Sequence, residues 1–353
     1  MINGVAFHNI CEMEEREGMP GKQLQRFPQS VRTAISGWGR TSAALASGCE
    51  LRFVTEASRV QIKLSSLETE GKVMIFQGNF FHSVQTLLPG IISTLDLVSR
   101  EEFTEVEPRF LESNTFSFRV WRICFDGFRA VLHGIDATDY PVVLPQPGET
   151  PELKMIAYGS SITQGEGASS NYNSYVQHAA HRLGFDVLNL GLSGSCLCEP
   201  EVADFIAERN DWQIAFFELG INMRKVYTVA EFRDRVSYLL DRVITMHPYD
   251  PIFITTIYPN KSTFLKDGDN LLAVREMEFN EVLREYAARK NHPYLYVIEG
   301  SDVLTDFSSL TADLIHPSDY GHIRMGEHLA KLMQPGINTF RNLRPERRKG
   351  GDR

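Results

Sequence analysis

Beyond residue 153 the chain repeats one rhythm, a short apolar run and then a helical stretch, and no other feature restricts its fold so much. "KMIAYG" precedes "NYNSYVQHAAHRLG", "DVLNLG" precedes "PEVADFIAER", "QIAFFELG" precedes "VAEFRDRVSYLLDRVITMH", "PIFITTIYP" precedes "LLAVREMEFNEVLREYAARK", and "PYLYVIEG" closes the series. Apolar runs alternating with helices are the strands of a parallel sheet, because each parallel connection must cross over and its helix covers one face. A doubly wound α/β domain is expected over 152–340. In such sheets ligands bind beyond the carboxyl ends of the strands, so the residues that follow each apolar run are the first place to look for chemistry.

The preceding half has another period. Over 31–139 the chain reads as short β-branched and aromatic runs, "CELRFVTEASRVQIKLSS", "KVMIFQGNFF", "STLDLVSR" and "FSFRVWRICFDGFRAVLHGIDA". Polar and apolar positions alternate in several of them, as in half-buried antiparallel strands. A β-sandwich is expected over 1–145. The four prolines of "YPVVLPQPGETPELK" deny helix and central strand alike and mark the junction. The basic end "RNLRPERRKGGDR", 341–353, reads as a frayed, solvated tail.

With 353 residues and 42% hydrophobic content the chain has ample material for two buried cores. A formal charge of -9 argues against nucleic acid as a partner, since neutralising a phosphate backbone needs clustered cations. Five scattered cysteines are too few, and odd in number, for a disulfide framework, and fit reduced thiols in a cytoplasmic protein. The amino terminus lacks a basic start followed by an apolar core, and no segment offers about eighteen uninterrupted apolar residues, so neither export nor a membrane is expected. Homo-oligomerisation stays open.

Four segments carry residues fit for chemistry. After the first run comes Gly159-Ser160-Ser161-Ile162-Thr163-Gln164-Gly165, where a serine hydroxyl can project into the crevice or simply make a turn. It is not a G-x-S-x-G nucleophile elbow, because residue 163 is threonine. "NLGLSGSCLCEP" follows the second run; Gly191 and Gly194 leave backbone N–H groups unscreened, as an oxyanion donor requires, or serve a plain glycine turn. Cys196 and Cys198 in that loop have no second Cys/His pair at ligand spacing. In "FFELGINMR" the Asn222 amide can donate to a developing negative charge, or bond its own turn. In "LTADLIHPSDYGHIRMGEHL" Pro317 holds His316 out of helical geometry, and Asp313 three residues earlier can accept the Nδ1 proton and aim Nε2 outward. Ser318 or Asp319 would then cap a helix starting near Tyr320. A metal held by Asp313, His316, Asp319 and His322 would need mixed loop and helix ligands. Serine, glycine, asparagine and Asp-x-x-His at successive strand ends, in this order, make up one reaction centre.

Those four blocks resemble the SGNH, or GDSL-type, esterase superfamily, over roughly 154–333. The resemblance implies a flavodoxin-like SGNH hydrolase domain with Ser161 as nucleophile, Asp313 and His316 completing a triad, and Ser161, Gly194 and Asn222 as oxyanion donors. It implies no metal or organic cofactor. Two positions depart from the family pattern: its Gly-Asp-Ser is Gly-Ser-Ser here, and Met223 stands where an aspartate often follows the asparagine. The β-rich first half is similar to the jelly-roll domain of a subgroup that includes carbohydrate-acetyl esterases, like carbohydrate esterase family 2, and an acyltransferase that decorates a polyketide. The activity implied is hydrolysis of short acyl esters, acetyl above all, of a carbohydrate or small glycoside. The alternatives are acyl transfer to a small-molecule hydroxyl and noncatalytic carbohydrate binding. Trp38, Phe80, Phe81 and Trp121 are the aromatics that could stack on a sugar ring, or else belong to the core.

Overall fold

Among the described residues three five-stranded sheets carry the fold, two antiparallel and one parallel. The computed structural model describes residues 4–111, 115–268 and 270–350. They form two compact units, one of residues up to 33 with 40–152 and 184–189, the other of 34–39, 153–183 and 190 onward.

The antiparallel strands are β1 (Ala6–His8), β2 (Glu12–Arg16), β3 (Met19–Gln25), β4 (Glu50–Phe53), β5 (Arg59–Ser66), β6 (Gly71–Gln77), β7 (Phe80–Leu87), β8 (Ser93–Val98), β9 (Trp121–Phe125) and β10 (Ala130–Asp136). One sheet runs β1-β4-β9-β6-β7 and the other β2-β3-β10-β5-β8. The register shows why they bury one face: Val60 lies opposite Leu97 and Ile62 opposite Leu95, while Arg59, Thr94 and Asp96 between them stay outside. Leu51, Phe53, Ile75, Ile123 and Phe125 from the first sheet and Leu24, Ile62, Leu64, Leu97 and Leu132 from the second share one apolar core, which makes this a β-sandwich.

The strands begin earlier than the alternation suggests. Val31 lies in a short helix, α1 (Gln29–Ala34), followed by α2 (Gly37–Ala43), and three strands precede it. Two of them, β1 and β2, are sheet edges, and β2 is "EMEER". Charge on an edge strand guards its unpaired backbone against other chains and erases the apolar signal by which a strand is read. Two further short helices, α3 (Glu102–Glu105) and α4 (Pro108–Leu111), lie between β8 and β9.

The parallel strands are β11 (Lys154–Tyr158), β12 (Asp186–Asn189), β13 (Ile214–Glu218), β14 (Ile252–Thr255) and β15 (Leu295–Ile298), in the order β12-β11-β13-β14-β15. That is the flavodoxin-like arrangement, whose order reverses between the first and third strands and opens a crevice at their carboxyl ends. Met155 to Tyr158 pair in parallel with Ile214 to Phe217, and all five residues of β13 are buried, as a strand covered on both faces requires. The helices are α5 (Ser161–Gln164), α6 (Tyr175–Leu183), α7 (Pro200–Glu208), α8 (Val229–Met246), α9 (Leu271–Lys290), α10 (Gly300–Val303) and α11 (Asp319–Gly350). Thr228 and Glu231 start α8 with reciprocal hydrogen bonds to each other's backbone. Of the basic tail expected from residue 341, the part up to Gly350 continues α11, and 351–353 lie outside the described residues. No helix among the described residues is long and apolar enough to cross a membrane.

Candidate active site

The reversal point of the parallel sheet is where the chain leaves β11 through Gly159, Ser160 and Ser161. A Cβ on residue 159 would fall 2.2 Å from Thr163 Oγ1 and 2.7 Å from Glu218 Oε2, so only glycine lets the strand turn this tightly. Ser160 caps α5, its Oγ accepting the Ile162 N–H at 3.2 Å. Ser161 opens the helix, and its Oγ lies 2.7 Å from His316 Nε2. The two serines thus have separate partners: Ser160 is 0% exposed and gives its proton to Glu218, whereas Ser161 faces the imidazole.

His316 sits on the loop before α11, where Pro317 was expected to hold it. Its Nδ1 lies 2.6 Å from Asp313 Oδ2, so Nδ1–H donates to the carboxylate and Nε2 is free to accept from Ser161. Asp313 Oδ1 takes three more donors, Thr311 Oγ1 and the N–H groups of Ile315 and His316. Partial burial works against its charge, but these hydrogen bonds outweigh it and hold the carboxyl well below its ordinary range. The loop also has a strained residue: Leu314 has φ of 59°, with its carbonyl accepting the Lys261 N–H at 2.8 Å. Ser318 Oγ accepts the Gly321 N–H at 3.3 Å and starts α11.

The glycine and asparagine loops meet each other. Asn222 follows β13, and its Oδ1 accepts the Cys196 N–H at 3.1 Å, which leaves Nδ2 as the donor. Gly194 has φ of 65°, a backbone conformation that side-chain-bearing residues rarely adopt. Among the described residues nothing accepts from the N–H of Ser161, the N–H of Gly194 or the Nδ2 of Asn222. Trp38 stands beside the second of these, its Nε1 2.7 Å from where a Cβ of residue 194 would be, and it is 67% exposed. Nearby, Ser193 Oγ donates to Glu166 at 2.8 Å.

Trp121 is 2% exposed and belongs to the sandwich core, since β9 turns it inward, so it cannot stack on a ligand. Phe80 packs edge-on against Phe103, while Phe81 is exposed on the edge strand β7. Cys196 and Cys198 are free and buried, and burial pushes the Cys196 thiol up. His322 accepts the Tyr175 N–H at Nδ1 and donates from Nε2 to the Glu166 carbonyl, and Asp319 accepts the Ser169 N–H. Among the described residues no group of three or more His, Cys, Asp or Glu side chains is placed to hold a metal. Sequence reading did not single out Glu218 or Leu314; the first lay inside an apolar run and the second between two residues of interest.

Residues 152–334 match the model of the GDSL-like lipase/acylhydrolase family. No curated protein matches the chain. Among solved structures, the chain is similar to the salicylyl-acyltransferase SsfX3 from a tetracycline biosynthetic pathway, with a TM-score of 0.77 and 13% identity over 94% of each chain. It is also similar to a family two carbohydrate esterase from Clostridium thermocellum, with a TM-score of 0.66 and 16% identity over 95% of this chain and 99% of that one. A family two carbohydrate esterase from Cellvibrio japonicus gives a TM-score of 0.61 and 14% identity over 83% of this chain and 90% of that one. At these identities the likeness is one of fold, and it extends over both units.

Proposed function

The chain belongs to the GDSL-like lipase/acylhydrolase family, and from that premise we propose that this esterase hydrolyses short acyl esters, acetyl above all, of a carbohydrate or small glycoside through an acyl-enzyme on Ser161. The observation that carries the reading is the unbroken hydrogen-bond chain from Asp313 through His316 to Ser161, with contacts of 2.6 and 2.7 Å.

His316 Nε2 takes the Ser161 proton as Oγ bonds to the ester carbonyl carbon, and Asp313 stabilises the resulting imidazolium. The carbonyl oxygen becomes an oxyanion, which the N–H groups of Ser161 and Gly194 and the Asn222 Nδ2, without acceptors among the described residues, would receive. When the tetrahedral adduct collapses, the bond to the alcohol oxygen breaks and His316 returns the proton to that oxygen. Water then gives a proton to His316 as its oxygen attacks the acyl carbon, and when this second adduct collapses the bond to Oγ breaks and His316 returns the proton to Oγ, which frees the acid and restores the Ser161 hydroxyl.

A sugar-like alcohol is favoured by the rim. An exposed indole at residue 38 offers a flat apolar face beside the Gly194 donor, and Glu166 with Ser193 offers polar partners for hydroxyl groups. The test is hydrolysis of p-nitrophenyl esters of increasing acyl length and of acetylated sugars, with Ser161→Ala as control. Activity that is greatest on acetyl esters and lost in Ser161→Ala supports the proposal. Formation of a new ester only when a hydroxyl compound is added would make the protein a transferase. An inert wild type that still binds sugars would make it a binding protein.

A further inference from the structure

One buried carboxylate beside the nucleophile has no part in the chemistry proposed above. Glu218 ends β13, is 2% exposed, and lies directly behind the turn that presents Ser161. Its Oε2 accepts the Ser160 N–H at 2.7 Å, the Ser160 hydroxyl at 2.7 Å and the Thr163 hydroxyl at 3.1 Å, and the Thr163 backbone also donates to it. Ser160 Oγ in turn accepts from the Ile162 N–H. Of the four successive N–H groups from Ser160 to Thr163, this network takes three, and among the described residues that of Ser161 has no acceptor. Burial raises the Glu218 carboxyl, and the hydrogen bonds from Ser160 and Thr163 oppose that rise without cancelling it.

We propose that Glu218 and Ser160 act as a positioning pair: the carboxylate on the neighbouring strand fixes the turn so that Ser161 alone offers both hydroxyl and N–H to the substrate, and it replaces the acidic residue that a Gly-Asp-Ser pattern would carry at position 160. A carboxylate at both positions would set two like charges in one buried space, so serine at 160 and glutamate at 218 belong together. The inference rests on the esterase reading of Ser161.

The test compares wild type, Glu218→Gln, Ser160→Asp and the double variant Ser160→Asp/Glu218→Gln. It measures the rate of fluorophosphonate labelling at Ser161, kcat and KM on p-nitrophenyl acetate, and the melting temperature. Glu218→Gln should slow labelling and lower kcat by roughly tenfold to a hundredfold with KM nearly unchanged, the penalty of a misplaced nucleophile. Ser160→Asp alone should be slower still, and the double variant should recover at least about tenfold over it as the second charge is removed. A Glu218→Gln enzyme with wild-type kcat and labelling, or a double variant no faster than Ser160→Asp, overturns the pairing. If Glu218→Gln does not fold, Ser160→Ala serves in its place: a fall in kcat with KM unmoved supports the pair, and wild-type rates overturn it. A wild type that fluorophosphonate leaves unlabelled at Ser161 overturns the esterase reading and the pairing with it, whereas labelled wild type with indifferent variants sinks only the pairing.

Discussion

Asn222 binds at one end and, among the described residues, has no acceptor at the other. Its Oδ1 is occupied by the Cys196 N–H, so the amide cannot turn over without losing that bond, and Nδ2 stays aimed away from it. Truncation to Asn222→Ala should lower kcat by roughly 10²–10³-fold, with a smaller change in KM, in steady-state kinetics on p-nitrophenyl acetate. Leu314 is the residue-scale counterpart in backbone terms. It sits between Asp313 and His316 with φ of 59°, a conformation that costs an L-residue about 1–2 kcal/mol. Leu314→Gly should therefore fold with equal or greater stability. Leu314→Ile, β-branched and less able to take that φ, should lower kcat by displacing His316. Thermal melting and kcat read together separate the two outcomes.

At the scale of elements, strand ends place the chemistry and strand faces place the charge. β4 reads "ELRF" and is buried throughout: Leu51 and Phe53 enter the sandwich core, while Glu50 and Arg52 point to the other face. Glu50 meets Arg122 of β9, and Arg52 bonds both Glu50 and Asp186. His8 lies 3.3 Å from Asp186. Although burial opposes its charge, Arg122 and Arg52 hold the Glu50 carboxyl well below its ordinary range. Such a cluster adds little when complete but is costly to break, because the remaining charges stay buried. Arg52→Met should cost about 3–5 kcal/mol, read as a lower urea midpoint with an unchanged slope. Strand β4 was legible as a strand, but the partners of its outward charges were not, since they come from residues about 70 and 134 positions away.

For the whole molecule, two buried histidines couple folding to pH. Burial lowers His8 and His322 from 6.5 to about 4, against the pull of nearby carboxylates on His8. The unfolded chain takes up these protons near pH 6.5 and the folded chain only near 4. Stability is then full above pH 6.5 and declines as pH falls toward 4, by on the order of 3 kcal/mol per histidine. Melting temperature measured from pH 7 to 4 should fall, and the acid slope should flatten in His322→Gln; an unchanged slope would show that His322 takes up its proton equally in both states. The same scale separates what composition could say from what packing added. Apolar runs alternating with helices dictate a doubly wound parallel sheet by themselves, because backbone groups in the interior must pair and right-handed crossovers leave few ways to do so. The positions of Ser161, Gly194, Asn222, Asp313 and His316 at loop ends were equally open to reading, since loops after strands are local features. That Ser161 and His316 meet at 2.7 Å, that residues 34–39 group with the second unit and bring Trp38 to Gly194, and that Glu218 stands behind Ser160 were decided only by the fold. Distance along a chain carries no record of distance in space, and a buried glutamate at the end of an apolar strand looks like any other until its neighbours are in place.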